Sequence, residues 1–408
     1  MTNLENKNKP VKICIMATVP ISICTFYGKQ IDFLTSKGFD VTVITSADEA
    51  GTEKQISSSA KVYLVPLTRS ITPLKDISCF KKILDIIAKG DFDIVQYSSP
   101  KAALLGSLAA WLCRVPVRLY LMWGMVYVTQ SGIKRLVLKS MEKIICFLST
   151  QVSPDSKGNC SFAVEEKLSS AKKVSLVSNG SANGIDLLRY DPRIFEGKKT
   201  EVRRKWDIPD NVLVIGFVGR LRKEKGVNEL VMAFEKLLKK YTNLYLLIVG
   251  PEEIQNKELL RDVEYFIKND PRIVCVGYQD KPEEFMAAMD IFVLPSYREG
   301  FGLVNLEASA MRLPVVSTDI PGPRDSVINN ETGFLVQAQS IDSLFLSMEK
   351  LIKNKDLRIK MGEAGRIWSS KFEQSNHWKN ILQHRLMLLN VKGSFIFDKD
   401  QMILRKSG

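Results

Sequence analysis

The 408 residues are 45% hydrophobic and 25% charged, with a net charge of +13, the composition of a soluble globular chain of two or three domains; disorder, collagen and coiled coil are excluded. Seven scattered cysteines with no Cys-x-x-Cys pair argue for reduced thiols and a cytosolic setting. Histidine occurs only at His377 and His384, which excludes a His-based zinc site or a Ser-His-Asp triad in the body of the chain.

In chain order, β-branched runs at 12–17 and 40–45 read as strands, with a helix over 30–37 between them and Gly38 as its stop. The stretch 11–26 resembles a signal peptide, but Glu5 before it and Pro20 within it favour a first strand and its loop. Further strands are expected at 62–67, 93–97 and 115–121, with helices at 74–89 and 101–113 and a basic amphipathic helix over 133–148. No apolar run is long enough to span a bilayer. A polar, glycine-containing stretch at 178–184 reads as an inter-domain connection. A second series follows, with strands at 212–218, 245–249, 273–276, 291–294, 314–317 and 333–336. Its best helix is 227–241, where Val227, Leu230, Val231, Phe234, Leu237, Leu238 and Tyr241 form one stripe. Two such alternating series predict two α/β domains with mainly parallel sheets and a cleft between them, ligands binding beyond the carboxyl ends of the strands.

Two windows can carry chemistry. In the first, 294–308, a strand gives way to a loop containing Gly300 and Gly302, and a helix opens near Leu303. Backbone N–H groups at that helix start can receive an anion or sugar hydroxyls, and Glu299 and Glu307 can face one ligand. In the second, 217–226, Gly219 and Arg220 follow a strand and Lys225 precedes the amphipathic helix. Two fixed cations there suit a diphosphate and the charge that grows on it as it departs, with no metal required.

Taken together, Gly-Arg-Leu-x-x-x-Lys-Gly at 219–226, Glu-x7-Glu at 299–307, Ala308, the 314–319 run, Gly322 and Thr332-Gly333 resemble the signature of the retaining glycosyltransferases of family four, which have the GT-B fold of two Rossmann-like domains. The chain is also similar to bacterial capsule, exopolysaccharide and O-antigen transferases through Arg69-Ser70-Ile71-Thr72-Pro73, Ser99-Pro100-Lys101-Ala102 and the 179–186 run. The resemblance implies an acceptor-binding domain over 1–182, a nucleotide-sugar domain over 183–375, and a C-terminal helix and tail, 376–408, crossing back. It implies Glu299 on the transferred sugar, Glu307 on the ribose, the backbone from Gly300 through Phe301, Gly302, Leu303 and Val304 along sugar and diphosphate, and Arg220 and Lys225 on the diphosphate, next to Gly219. No residue is a firm nucleophile, and no cofactor or metal is implied beyond the nucleotide-diphosphate sugar as co-substrate, a UDP-sugar being favoured.

The N-terminal half departs from the family pattern. Places where relatives often carry His read Gln96-Tyr97-Ser98-Ser99 and Met122-Trp123-Gly124; Trp123 cannot exchange a proton but can stack on a sugar or pack in a core. Lys101 and Trp123 are the acceptor-side candidates. Asp91-Phe92-Asp93 imitates a metal motif but leads into a buried-looking strand. Residues 101–150 hold seven basic side chains against one acid, Glu142, which suits anionic lipid. The expected partners are a nucleotide-sugar donor, a polyprenyl-diphosphate-linked glycan acceptor and the inner face of the cell membrane. Nucleic acid is not among them, for no binding module is present. The alternatives are a sugar-nucleotide 2-epimerase of the same fold and an inactive nucleotide-sugar-binding partner.

Overall fold

The computed structural model describes residues 10–252, 259–391, 395–398 and 403–406, so the two expected domains and the expected tail each fall partly outside them. The chain divides into two compact units. One comprises Met1–Asp155, Asn159–Asn183 and Ser375–Gly408; the other comprises Ser156–Gly158 and Gly184–Gln374.

The first runs β1 (Val11–Met16), α1 (Pro20–Ser36), β2 (Phe39–Thr45), β3 (Lys61–Leu64), α2 (Pro73–Gly90), β4 (Ile94–Tyr97), α3 (Pro100–Leu112), β5 (Val117–Met122), α4 (Gly132–Leu148), β6 (Gln151–Pro154) and α5 (Lys157–Glu165). The second runs α6 (Lys198–Lys205), β7 (Leu213–Val218), α7 (Val227–Leu238), β8 (Leu244–Val249), α8 (Arg261–Asn269), β9 (Ile273–Cys275), α9 (Pro282–Met286), β10 (Ile291–Leu294), α10 (Leu303–Ala310), β11 (Val315–Thr318), α11 (Pro323–Ser326), β12 (Gly333–Val336), α12 (Ile341–Lys353) and α13 (Lys355–Ser370). Helix α14 (Gln374–Val391) then joins the first unit, and β13 (Phe395–Asp398) pairs antiparallel with β14 (Ile403–Lys406).

Each unit is a six-stranded parallel sheet, in the orders β3-β2-β1-β4-β5-β6 and β12-β11-β10-β7-β8-β9. Successive residues of β1 serve opposite faces: Ile13 and Ile15 join a core with α1 and α14, while Cys14 and Met16 join another with α2, α3 and α4. The second unit buries one continuous core around Phe217, Phe234 and Phe292.

Pro20 does not interrupt the first segment. It opens α1, where a missing N–H costs nothing, so the helix runs 17 residues instead of the eight expected over 30–37. Strand β3 is an exposed edge of four residues, shorter than the strand expected over 62–67, and β6, with Val152 its one β-branched residue and Pro154 at its end, is not among the expected strands. Strands β10 and β12 coincide with the expected spans.

Candidate active site

In a doubly wound sheet a crevice opens where strands from the two directions of winding lie side by side. In the second unit those neighbours are β7 and β10, paired through Ile215–Ile291 and Gly216–Phe292. Both candidate windows leave the carboxyl ends of these two strands. Arg220 follows β7 after Gly219, and the Pro295–Gly302 loop follows β10. Fold topology alone therefore brings Arg220, Lys225 and Glu299 to one place.

There they form a charged cluster. Lys225 Nζ donates to Glu299 Oε1 at 2.5 Å, and Ser296 Oγ donates to the same oxygen at 2.7 Å. Arg298 Nη2 donates to Glu224 Oε2 at 2.9 Å; Arg220 Nη2 lies 3.5 Å and Arg222 Nη1 3.8 Å from Glu224 Oε1. Burial raises the pKa of Glu224, but the arginines outweigh it, Arg298 most, and hold the carboxyl below its usual range. The backbone knits the windows together as well, Tyr297 N donating to Glu224 O at 2.9 Å, and Tyr297 Oη donates to Glu229 on α7 at 2.5 Å. Arg220, Arg222, Lys225 and Arg298 thus gather beside Glu224 and Glu299, guanidinium and ammonium groups of the kind that bind a diphosphate.

Gly302 caps α10 with φ 78° and no side-chain cap, which leaves the first N–H groups of the helix, at Leu303 and Val304, directed at the loop. Phe301 anchors that loop in the core against Phe372, ring centroids 5.3 Å apart. Asn305, fully buried in the first turn, donates to Ser317 and Ser326 at 3.0 and 2.9 Å and so fixes the helix on β11 and α11.

Glu307 stands apart from this cluster in its contacts. Its neighbours are Tyr190, which donates to it, and Arg189, whose fork is taken up by Glu283 at 2.9 and 2.8 Å. Burial lifts its pKa to about 7, Tyr190 and Arg189 lowering it only in part. Since the folded value lies above the ordinary 4.5, the folded state holds this proton more tightly than the unfolded chain does. The resulting stabilisation is full below pH 4.5 and is lost as pH rises to 7. A Glu307→Gln variant should flatten that slope in urea unfolding measured from pH 5 to 8; an unchanged slope would reject the assignment.

Glu224, Arg298, Ser296 and Tyr190 escape a reading of the sequence. The hint for Glu224 was its place among Arg220, Arg222 and Lys225, but its chief partner, Arg298, is 74 residues on. The acceptor-side candidates lie in the first unit. Lys101, at the start of α3, bonds Thr68 (3.1 Å), Thr72 (3.2 Å), Asp76 (2.6 Å) and the Ser70 carbonyl, tying the 69–73 and 99–102 motifs into one structure. Contact with an acceptor would require its ammonium to leave all four. Trp123 packs on Phe26 and Tyr27, with centroids at 4.5 and 5.3 Å. Gln96 has a local reason: its Oε1 accepts from Nε and Nη2 of the fully buried Arg385, at 3.3 and 3.2 Å, where an imidazole could not accept both. Asp93 accepts from the Lys12 backbone N–H at 2.9 Å, and no metal-holding group of acids, His or Cys occurs among the described residues.

Residues 12–153 match the family described as glycosyl transferase 4-like, and residues 198–368 match glycosyl transferases group 1. The chain is 32% identical over 375 residues to the capsular polysaccharide biosynthesis glycosyltransferase CapM of Staphylococcus aureus, covering 91% of this chain and 96% of that protein. It is 26% identical to the Escherichia coli UDP-Gal:alpha-D-GlcNAc-diphosphoundecaprenol alpha-1,3-galactosyltransferase, covering 87% and 92%. Among solved structures, a glycosyltransferase from Rickettsia africae superimposes with a TM-score of 0.75 at 21% identity over 94% of this chain and 99% of that one. Anabaena HepE in complex with UDP does so with 0.74 at 17%, over 93% and 100%. With the two sheets and these matches in agreement, the chain belongs to the GT-B glycosyltransferases of the group 1 and 4-like kind, in the company of those that build bacterial capsules and O-antigens.

Proposed function

We propose that the chain transfers a hexose or N-acetylhexosamine, with retention of configuration and without a metal, from a nucleotide-diphosphate donor, UDP-sugars being favoured, to a polyprenyl-diphosphate-linked glycan. The observation that carries this is the cluster beyond the ends of β7 and β10, where Arg220, Arg222, Lys225 and Arg298 gather at the switch point of the sheet, a setting suited to a sugar-linked diphosphate. The oxygen of an acceptor hydroxyl bonds to the anomeric carbon as the bond from that carbon to the diphosphate oxygen breaks, and the hydroxyl proton passes to the departing diphosphate. The electron pair goes to the leaving diphosphate, where Arg220 and Lys225 stabilise it. Glu299, released from Lys225, is free to accept from the sugar hydroxyls, and Glu307 to accept from the ribose. The activity of the Escherichia coli relative on a diphosphoundecaprenol-linked sugar, and the UDP held by HepE, support the choice of donor and acceptor class.

The test is a thermal-shift panel of nucleotide sugars, followed by transfer assays on polyprenyl-diphosphate glycans with the best binder; ligand at 100 times its Kd should add about 2.7 kcal/mol. A flat panel would overturn the reading. Glu307→Ala should mainly weaken the donor, about tenfold, and unchanged affinity in calorimetry would count against its ribose role.

Helix α4 supports action at a lipid surface. Ile145, Cys146 and Leu148 face the core, yet Ile133, Leu136, Val137, Ile144 and Phe147 are exposed beside exposed Lys134, Arg135 and Lys143. Apolar and basic groups on one outer face suit the interface of an anionic bilayer. No described helix is long and apolar enough to cross one. On the outer face of α4 rests the proposed location, peripheral at the inner face of the cell membrane. Vesicles containing phosphatidylglycerol should sediment the protein and phosphatidylcholine vesicles should not. Ile133→Asp with Phe147→Asp should abolish sedimentation, and persistence would place the contact elsewhere.

A further inference from the structure

Glu224 sets a negative charge among the cations proposed to hold a diphosphate. A like charge in that place weakens the hold on an anion, so the carboxylate needs another reason to be there. It lies in a 3-10 turn, Lys223–Lys225, that closes on Gly226 in the left-handed region at φ 71°. The turn carries the side chain back along its own loop, where Oε1 faces Arg220 Nη2 at 3.5 Å and Arg222 Nη1 at 3.8 Å. Its other oxygen, Oε2, accepts from Arg298 Nη2 at 2.9 Å. Both oxygens are turned to guanidinium groups.

These contacts are unequal. Arg298 is 19% exposed and buries its Nε without a hydrogen-bond partner; Glu224 is its one carboxylate partner among the described residues. A guanidinium so enclosed stays with its counter-charge, which makes Arg298 an anchor. Arg220 is 38% exposed, and its 3.5 Å contact is longer than the roughly 2.7–2.9 Å of a full charge-assisted bond. Glu224 steers that side chain without seizing it. Nor is the carboxylate needed to join the two loops. Tyr297 N donates to the Glu224 carbonyl at 2.9 Å, and Tyr297 Oη donates to Glu229 on α7, so backbone and tyrosine already tie them.

We propose that Glu224 is a positioning residue: anchored on Arg298, its carboxylate holds the Arg220 guanidinium in the orientation that meets the charge growing on the leaving diphosphate. This rests on the proposed diphosphate donor. A cation already oriented stabilises the transition state more than a mobile one, because nothing has to reorganise as the charge develops. Glu224 therefore works against donor binding and in favour of turnover, two effects of opposite sign from one side chain. A residue that merely held the fold together would lower both.

The test uses the full chain, with UDP as the binding probe in calorimetry. Turnover is read as UDP released from UDP-glucose, UDP-galactose, UDP-N-acetylglucosamine or UDP-N-acetylgalactosamine, whichever the wild type cleaves fastest. Glu224→Gln should bind UDP at least as tightly as the wild type and lose about tenfold or more in turnover. In an Arg220→Ala background the same substitution should cost less than about twofold, because the group through which it acts has gone. Should Glu224→Gln melt early, Glu224→Asp carries the test. Its charge is kept and its reach shortened, so UDP affinity should hold while the loss of turnover again depends on Arg220. A folded variant at full turnover, affinity falling in step with turnover, or an undiminished loss in the Arg220→Ala background would each overturn the role. A wild-type chain that neither binds UDP nor releases it would strike the donor reading instead.

Discussion

Arg220→Ala is expected to lower turnover on the order of 10²-fold or more, the usual effect of removing one preorganised charge from a developing anion. The side chain is 38% exposed, and Glu224 keeps its 2.9 Å bond to Arg298 without it, so the fold should tolerate the change. Donor affinity should fall less than turnover, because the charge on the diphosphate is greatest as the glycosidic bond breaks. Arg220→Lys should restore only part, since a point charge lacks the planar fork that spans two phosphate oxygens. The measurement is steady-state release of nucleotide diphosphate at saturating donor, with a melting curve beside it. A folded variant turning over at the wild-type rate would remove Arg220 from the reaction.

Gly226→Ala should be almost as damaging by a different route. Gly226 opens α7 at φ 71°, where an L side chain costs about 1–2 kcal/mol. A Cβ there would also lie inside the van der Waals envelope of the Pro295 carbonyl. Lys225 is its neighbour on one loop and Glu299 lies four residues beyond Pro295 on the other, so relief of the overlap must separate the two windows. Donor affinity is expected to drop tenfold or more, with a melting temperature several degrees lower. Gly197→Ala is the control: its φ is 82°, with nothing within 4 Å of the added carbon. It carries the conformational cost without the collision. Equal effects from the two would show that steric separation of the loops plays no part.

The contrast between these two residues and the first unit shows what a linear reading can reach. Arg220, Lys225 and Glu299 each sit beside a glycine on the loops that leave two neighbouring strands, and a parallel sheet must deliver neighbouring strand ends to one crevice, so local pattern and topology agree. Glu224 and Arg298 meet only once that delivery has happened, and charge along a chain does not announce its partner. Pro20 misled because proline breaks a helix interior but begins a helix well. Gln96 stood only as a departure from the family pattern until Arg385, 289 residues later, supplied the reason for an amide at that position. Interactions of this kind belong to tertiary structure alone.

Helix α14 has one more consequence, for synthesis. Its Leu382, Leu386 and Leu389 complete the core that Ile13, Ile15 and Leu119 begin. When the ribosome has released residue 183, that face of the first sheet is covered by α1 but not yet by α14, and it stays so while roughly 190 more residues are added. At about 5–20 residues per second that wait is some 10–40 s. The nascent first half must therefore be shielded from aggregation through that interval, and a gene cut at residue 183 should yield insoluble product, whereas the second unit, almost continuous in sequence, should be recoverable by itself.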